Sequence, residues 1–298
     1  PAQADVRLLP LGRTRRLALR RRHAGGAALA LRDAAQMHLE PLQYLLGLIS
    51  GGLVGFTLGL FGGGGSILAV PLMVYLVGVA SPHVAIGTSA LAVAANAATN
   101  LITHARQGNV RWRCAAIYSA AGIAGAFLGS TLGKSLDGQK LLFLFALLMM
   151  LVGAMMFWKR NAPSNPAAVC TIENAPKTIG FGAATGAFSG FFGIGGGFLI
   201  VPGLIASTGM PILAAVGSSL VAVTAFGVTT AANYALSGWV DWPLAGVFIA
   251  GGALGGVGGA MVAGKLAPRR GVLNIAFAVM IFAVAIYMAV RSVSAFYS

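Results

Sequence analysis

"GLFGGGGSILAVP", residues 59–71, sets four consecutive glycines, Gly62 to Gly65, and a proline inside a stretch otherwise apolar enough to cross a bilayer. Glycine in a helix interior costs about 1 kcal/mol relative to alanine. A run of four therefore marks a place where regular helix gives way. The stretch has a counterpart, "GFFGIGGGFLIVP" at residues 190–202, displaced by 131 positions. Gly59/Gly190, Phe61/Phe192, Gly62/Gly193, Gly64/Gly195, Gly65/Gly196, Leu68/Leu199, Val70/Val201 and Pro71/Pro202 correspond.

Further motifs keep nearly the same register. "AIGTSALAV" (85–93) faces "AVGSSLVAV" (215–223), and "GNVRW" (108–112) faces "GWVDW" (238–242), both displaced by 130. Composition bias alone does not hold one register through three motifs, so the chain reads as an internal duplication. Each half divides into five hydrophobic segments, near 42–61, 67–80, 84–105, 114–133 and 141–158, then 178–193, 197–209, 212–235, 243–264 and 272–290. The second segment of each half is too short for a full crossing at 1.5 Å per residue. This gives a basic extension at 1–40, a first membrane repeat at 41–158, a polar, proline-containing connector at 159–177 and a second membrane repeat at 178–298. The arginine-rich extension has one short apolar run cut off by Arg32, and Met37 would begin a plausible chain just before the first span.

Composition supports the membrane class. Of 298 residues, 57% are hydrophobic and 9% charged, and the mean hydropathy is +0.84. A soluble domain carries roughly 25% charged residues. The ten-residue alternation of a membrane β-barrel is missing. The predicted fold is an all-α polytopic membrane protein of two duplicated halves, each with about four crossings and a glycine-broken or short helix. The net charge of +14 lies largely in the first 32 residues and in short connections such as Arg106, Arg111, Arg113, Lys159, Arg160, Lys177, Lys265, Arg269 and Arg270. That distribution suits topology and anionic-lipid contact rather than nucleic-acid binding.

Irregular backbone at membrane depth is tolerated where protein buries it or a watery cavity reaches it. Paired broken or short helices in duplicated halves are a mark of secondary transporters. The short segment's N-terminus presents N–H groups and the positive end of a helix dipole, which suits an anion. Gly62, Gly64, Gly65 and Ser66, with Gly193, Gly195, Gly196 and Gly197, are the first candidates for substrate binding. Close helix packing is the other reading of glycine, and it applies to "GAFLGSTLG" (125–133) and "GGALGGVGG" (251–259), where glycines recur every four residues.

All six acidic residues, Asp5, Asp33, Glu40, Asp137, Glu173 and Asp241, fall outside the expected spans. A path without a buried carboxylate but with hydroxyls and amides suits an anion. Thr88 and Ser89, and Ser218 and Ser219, sit early in the third segment of each half and are expected to face the glycine breaks. Asn96, Asn100 and Asn233 are expected to line the path, although bonds back to helix carbonyls and contacts between helices account for such residues equally well. His83 and His104 read as interfacial, and Trp112, Trp158, Trp239 and Trp242 as interface anchors. Cys114 and Cys170 form no CxxC and no metal-ligand spacing, and no catalytic set repeats. No cofactor, metal or enzymatic activity is expected.

The paired Phe-Gly-x-Gly-Gly…Val-Pro, Gly-Thr/Ser-Ser and Gly-x-Val-x-Trp segments over residues 42–291 resemble the TauE/SafE, or sulfite exporter, family of membrane transporters. The resemblance implies an inner-membrane transporter of small sulfur-containing or organic anions such as sulfite or sulfonates. With the duplication it suggests alternating access between two repeats. The competing readings are an anion channel and a membrane enzyme using Cys114 or His104.

Overall fold

The apolar segments become helices because lipid offers the backbone no alternative hydrogen-bond partners. The computed structural model describes residues 40–158, 174–193, 197–266, 279–288, 290 and 291. Among these residues there is helix and no strand. In chain order the helices are α1 (Pro41–Phe61), α2 (Pro82–Arg106), α3 (Trp112–Lys134), α4 (Gly138–Trp158), α5 (Ala175–Phe192), α6 (Gly197–Thr208), α7 (Ile212–Ala235), α8 (Trp242–Leu266) and α9 (Val279–Met288). Among the described residues five helical stretches, α1 within Pro41–Leu76, α2, α3, α7 and α8, are long and apolar enough to cross a membrane. The basic extension and most of the connector lie outside the described residues.

Between α1 and α2 the chain does not straighten out. Gly62 adopts φ +63°, a tight 3-10 stretch follows over Gly62–Leu68, and a π-helical turn spans Leu72–Leu76. This segment doubles back along α1: Gly65 lies against the Thr57 and Leu58 backbone, and Gln43 Nε2 donates to the Val77 carbonyl at 3.0 Å. The glycines thus form the tip of a helical hairpin. A second hairpin forms where α5 ends at Gly193, φ +66°, and α6 returns, bringing Gly203 against Thr185 and Tyr118.

Small residues then choose which helices pair. Gly51, Gly55 and Gly59 of α1 press on the backbone of Phe248, Gly252 and Gly256 of α8, so the two helices run parallel in four-residue steps. Gly182, Gly186 and Gly190 of α5 press likewise on Tyr118, Gly122 and Ala126 of α3. At these glycines an added Cβ would collide with a neighbouring carbonyl, which is why only glycine fits so close an approach. The glycines of 125–133 and 251–259 supply the opposing faces: Gly125 and Gly129 meet Ala183 and Ala187, and Gly251 and Gly255 meet Leu48 and Gly52.

Direction follows from these contacts. His104, near the end of α2, touches Gly59, near the end of α1, so α1 and α2 run the same way. The five residues 107–111 reverse the chain into α3, and α5 runs parallel to α3. The first long helix after the connector therefore runs opposite to α1. Helices α2 and α7 cross antiparallel at the centre, where Gly227 meets Ala90 and Ala94.

Candidate functional site

The two hairpin tips meet inside the molecule. Gly63 and Gly197 are in contact through their backbones, and neither has room for a side chain. Gly62 packs against the Val216 carbonyl and Ser219, and Gly193 packs against Ile86. The residues carrying these contacts are buried, and Phe145, Phe192 and Phe198 close over the second tip with ring centroids 5.7 and 6.2 Å apart. Left-handed backbone with φ near +65° is routine only for glycine. The sequence therefore places two sharp reversals, and packing brings both to one point.

The expected site residues divide between the tips and other duties. Ser219 reaches a tip: its Oγ accepts the Gly63 N–H at 3.0 Å and donates to the Val216 carbonyl at 2.7 Å. Ser66 Oγ donates to the Gly63 carbonyl at 2.8 Å, and Thr57, which sequence reasoning missed, donates to the Gly65 carbonyl at 3.2 Å. Ser89 donates to the Ile86 carbonyl at 3.0 Å, the residue against which Gly193 packs. Gly195 and Gly196 lie outside the described residues.

Thr88 and Ser218 turn elsewhere. Thr88 Oγ1 accepts the Asp241 N–H at 2.9 Å, and Ser218 Oγ accepts the Arg111 N–H at 2.8 Å. Each hydroxyl fastens the loop that precedes a helix of the opposite half. Asn233 is also remote from the tips: it donates to Ser130 and Thr131 on α3 and accepts from Lys134 Nζ at 2.7 Å. Asn96 and Asn100 face the seam of α1 and α8 rather than either tip, their amides lying against Gly252 and Gly256.

His104, read from sequence as interfacial, is fully buried, with Nε2 3.1 Å from the Gly59 carbonyl. Trp112 and Trp242 are largely exposed at the starts of α3 and α8, as an interface anchor requires, whereas Trp239 stacks on His83 with ring centroids 4.8 Å apart. Cys114 is buried and disulfide-bonded, so its sulfur is not a free nucleophile. A groove of about 330 Å³ lies apart from the tips, between the returning segment and α9, walled by apolar residues with Tyr75 and Tyr287.

Paired helical hairpins meeting within a bundle of apolar spans define a polytopic membrane protein of the transporter class. The chain belongs to the sulfite exporter TauE/SafE family, whose model matches residues 47–288. It is 54% identical over 257 residues to a probable membrane transporter protein of Xylella fastidiosa strain 9a5c, covering 86% of this chain and 98% of that one. It is 29% identical over 243 residues to the probable membrane transporter protein YunE of Bacillus subtilis, covering 74% and 88%. A probable membrane transporter protein of Methanocaldococcus jannaschii, MJ0441, is 27% identical over 187 residues, covering 61% of this chain and 67% of its own length. No solved structure matches the chain.

Proposed function

We propose that this membrane transporter carries a small sulfur-containing or organic anion, such as sulfite or a sulfonate, across the inner membrane by alternating access, with the anion held where the hairpin tips converge. One observation carries the reading: two left-handed glycines, Gly62 and Gly193, 131 positions apart, open two hairpins whose returning arms meet at Gly63 and Gly197. Main-chain N–H groups at such a point can donate to an oxyanion without any buried cation. In this reading Gly62, Gly64, Gly65, Ser66, Gly193, Gly195, Gly196 and Gly197 supply the backbone, and Ser89 and Ser219 hold it in shape. The same spacing in the glycine contacts of α1 with α8 and of α5 with α3 supports a duplicated, inverted pair of repeats. Arg106, Arg111, Arg113, Lys177 and Lys265, all exposed, gather at the end of the bundle where α2 and α8 finish and α3 and α5 begin, which suits contact with anionic lipid.

Purified protein in proteoliposomes, screened with labelled sulfite, thiosulfate, sulfoacetate, taurine and sulfate, tests the cargo. Saturable uptake of one of them, accelerated by unlabelled substrate on the far side, is the expected result; single-channel currents would overturn alternating access. Gly63→Val and Gly197→Val are expected to abolish that uptake with protein still in the membrane. Normal uptake by both variants would remove the tips from the mechanism.

A further inference from the structure

Helix α2 carries three polar side chains at one-turn spacing on one buried face: Asn96, Asn100 and His104, at 0%, 2% and 0% exposure. They point into the seam between α1 and α8, where Gly59, Gly252 and Gly256 leave room for them. Helix packing alone does not explain the row. Both amide atoms of Asn96 are buried without a hydrogen-bond partner, and so is Nδ1 of His104. Each such group costs about 1–3 kcal/mol when left unpaired. Asn100 reaches only back along its own helix, donating to the Asn96 carbonyl at 2.9 Å. Buried polar groups without partners are retained where something else visits them.

We infer that this row is a proton-coupling site, with the His104 imidazole taking up and releasing the proton at Nδ1. The inference rests on reading the chain as an anion transporter. Nε2 faces the Gly59 carbonyl and so carries a hydrogen, which leaves Nδ1 as the lone-pair nitrogen that binds a proton from water and returns it to water. No other reactant is needed. Gly59 lies in the last turn of α1, where a helix dipole favours positive charge, and it precedes the left-handed Gly62 by three residues. The imidazolium thus tightens the end of α1 at the base of the first tip. The titratable groups on the surrounding elements are Tyr44 on α1, Tyr75 on the returning segment, Lys265 on α8, Tyr234 on α7, and His83 and Arg106 on α2 itself; none of these elements carries Asp or Glu. Hence no carboxylate on these described elements competes for the proton.

Full-length protein labelled with nitrogen-15 histidine, in lipid nanodiscs, is titrated from about pH 5 to about pH 9, with His104→Gln identifying the His104 signals. The ring is expected to pass between cationic and neutral forms within that range. A ring fixed in one form throughout overturns the proposal, whatever the protein carries. In proteoliposomes, a gradient of one pH unit is expected to change the steady-state accumulation of sulfoacetate by the native protein about tenfold, the limit for one proton per anion, while His104→Gln keeps measurable sulfoacetate exchange and loses the response. A His104→Gln protein that follows the gradient as the native one does also overturns it. Absence of native flux with every anion in the screen would count against the transport reading, and the histidine titration would then decide the proton site by itself.

Discussion

Gly62 and Gly193 hold φ of 63° and 66°, and each is crowded, by Val216 and Ser219 in one case and Ile86 in the other. Gly108 holds φ 73° in a loop with nothing within reach of an added Cβ. An alanine at any of the three costs about 1–2 kcal/mol of backbone strain; at Gly62 and Gly193 collision adds to it. We therefore expect Gly62→Ala and Gly193→Ala to lower the thermal unfolding midpoint further than Gly108→Ala and to lose uptake, with Gly108→Ala keeping it. The neighbouring serines divide in the same way. Ser219→Ala removes the acceptor of a buried N–H at the tip, at a cost of about 1–3 kcal/mol, and is expected to depress uptake beyond its effect on stability. Ser218→Ala frees the Arg111 N–H at a loop instead, and its loss is expected in the unfolding midpoint alone. Nothing in the sequence separates Ser218 from Ser219, because adjacent residues on a helix point about 100° apart and only the packed neighbours show which of them meets the hairpin.

The glycines of the elements fall into two physical groups. Those at Gly51, Gly55 and Gly59, and at Gly182, Gly186 and Gly190, let a second helix come within reach of a carbonyl, whereas Gly180 on α5 and Gly246 on α8 have open space around them. Replacing a helical glycine by alanine where nothing obstructs it stabilises by about 0.4–1 kcal/mol, chiefly by restricting the unfolded chain. Gly180→Ala and Gly246→Ala are expected to raise the unfolding midpoint and keep uptake. Gly55→Leu and Gly186→Leu are expected to prevent the α1–α8 and α5–α3 contacts and to leave little folded protein in detergent extracts. A stable Gly55→Leu protein would show that the α1–α8 contact is not what holds those helices. The four-residue recurrence of these glycines is visible in the sequence, and it marks a packing face. It does not say which helix is received there, because the glycine faces are nearly alike and partner choice follows from how the whole chain is threaded.

At the scale of the molecule, those partners lie across the chain's own midpoint: α1 takes α8, and α5 takes α3. Thr88 and Ser218 add two more ties across it, to the loops at Asp241 and Arg111. Each glycine seam joins a helix before the connector to one after it, so the halves cannot rock against each other as two intact bodies without breaking both seams. If the chain is cut within the connector and both pieces are expressed together, they are expected to co-purify as one complex. Each piece expressed alone is expected to be degraded. A half that is stable and monodisperse by itself would contradict this arrangement. Motion during transport is then expected between the α1–α8 and α3–α5 pairs, with the hairpin tips between them.

The membrane class, the number and approximate ends of the hydrophobic segments, and the position of both reversals were decided locally. Lipid forces an apolar run of sufficient length into helix, and consecutive glycines at a fixed place fit a left-handed turn. The tertiary structure alone decided that the short segments fold back to meet at Gly63 and Gly197, that helices pair across the halves, that Asn233 serves Lys134, and that His104 is enclosed rather than interfacial. Those outcomes depend on contacts between residues far apart in the chain, where helices with similar small-residue faces compete and only the complete packing selects among them.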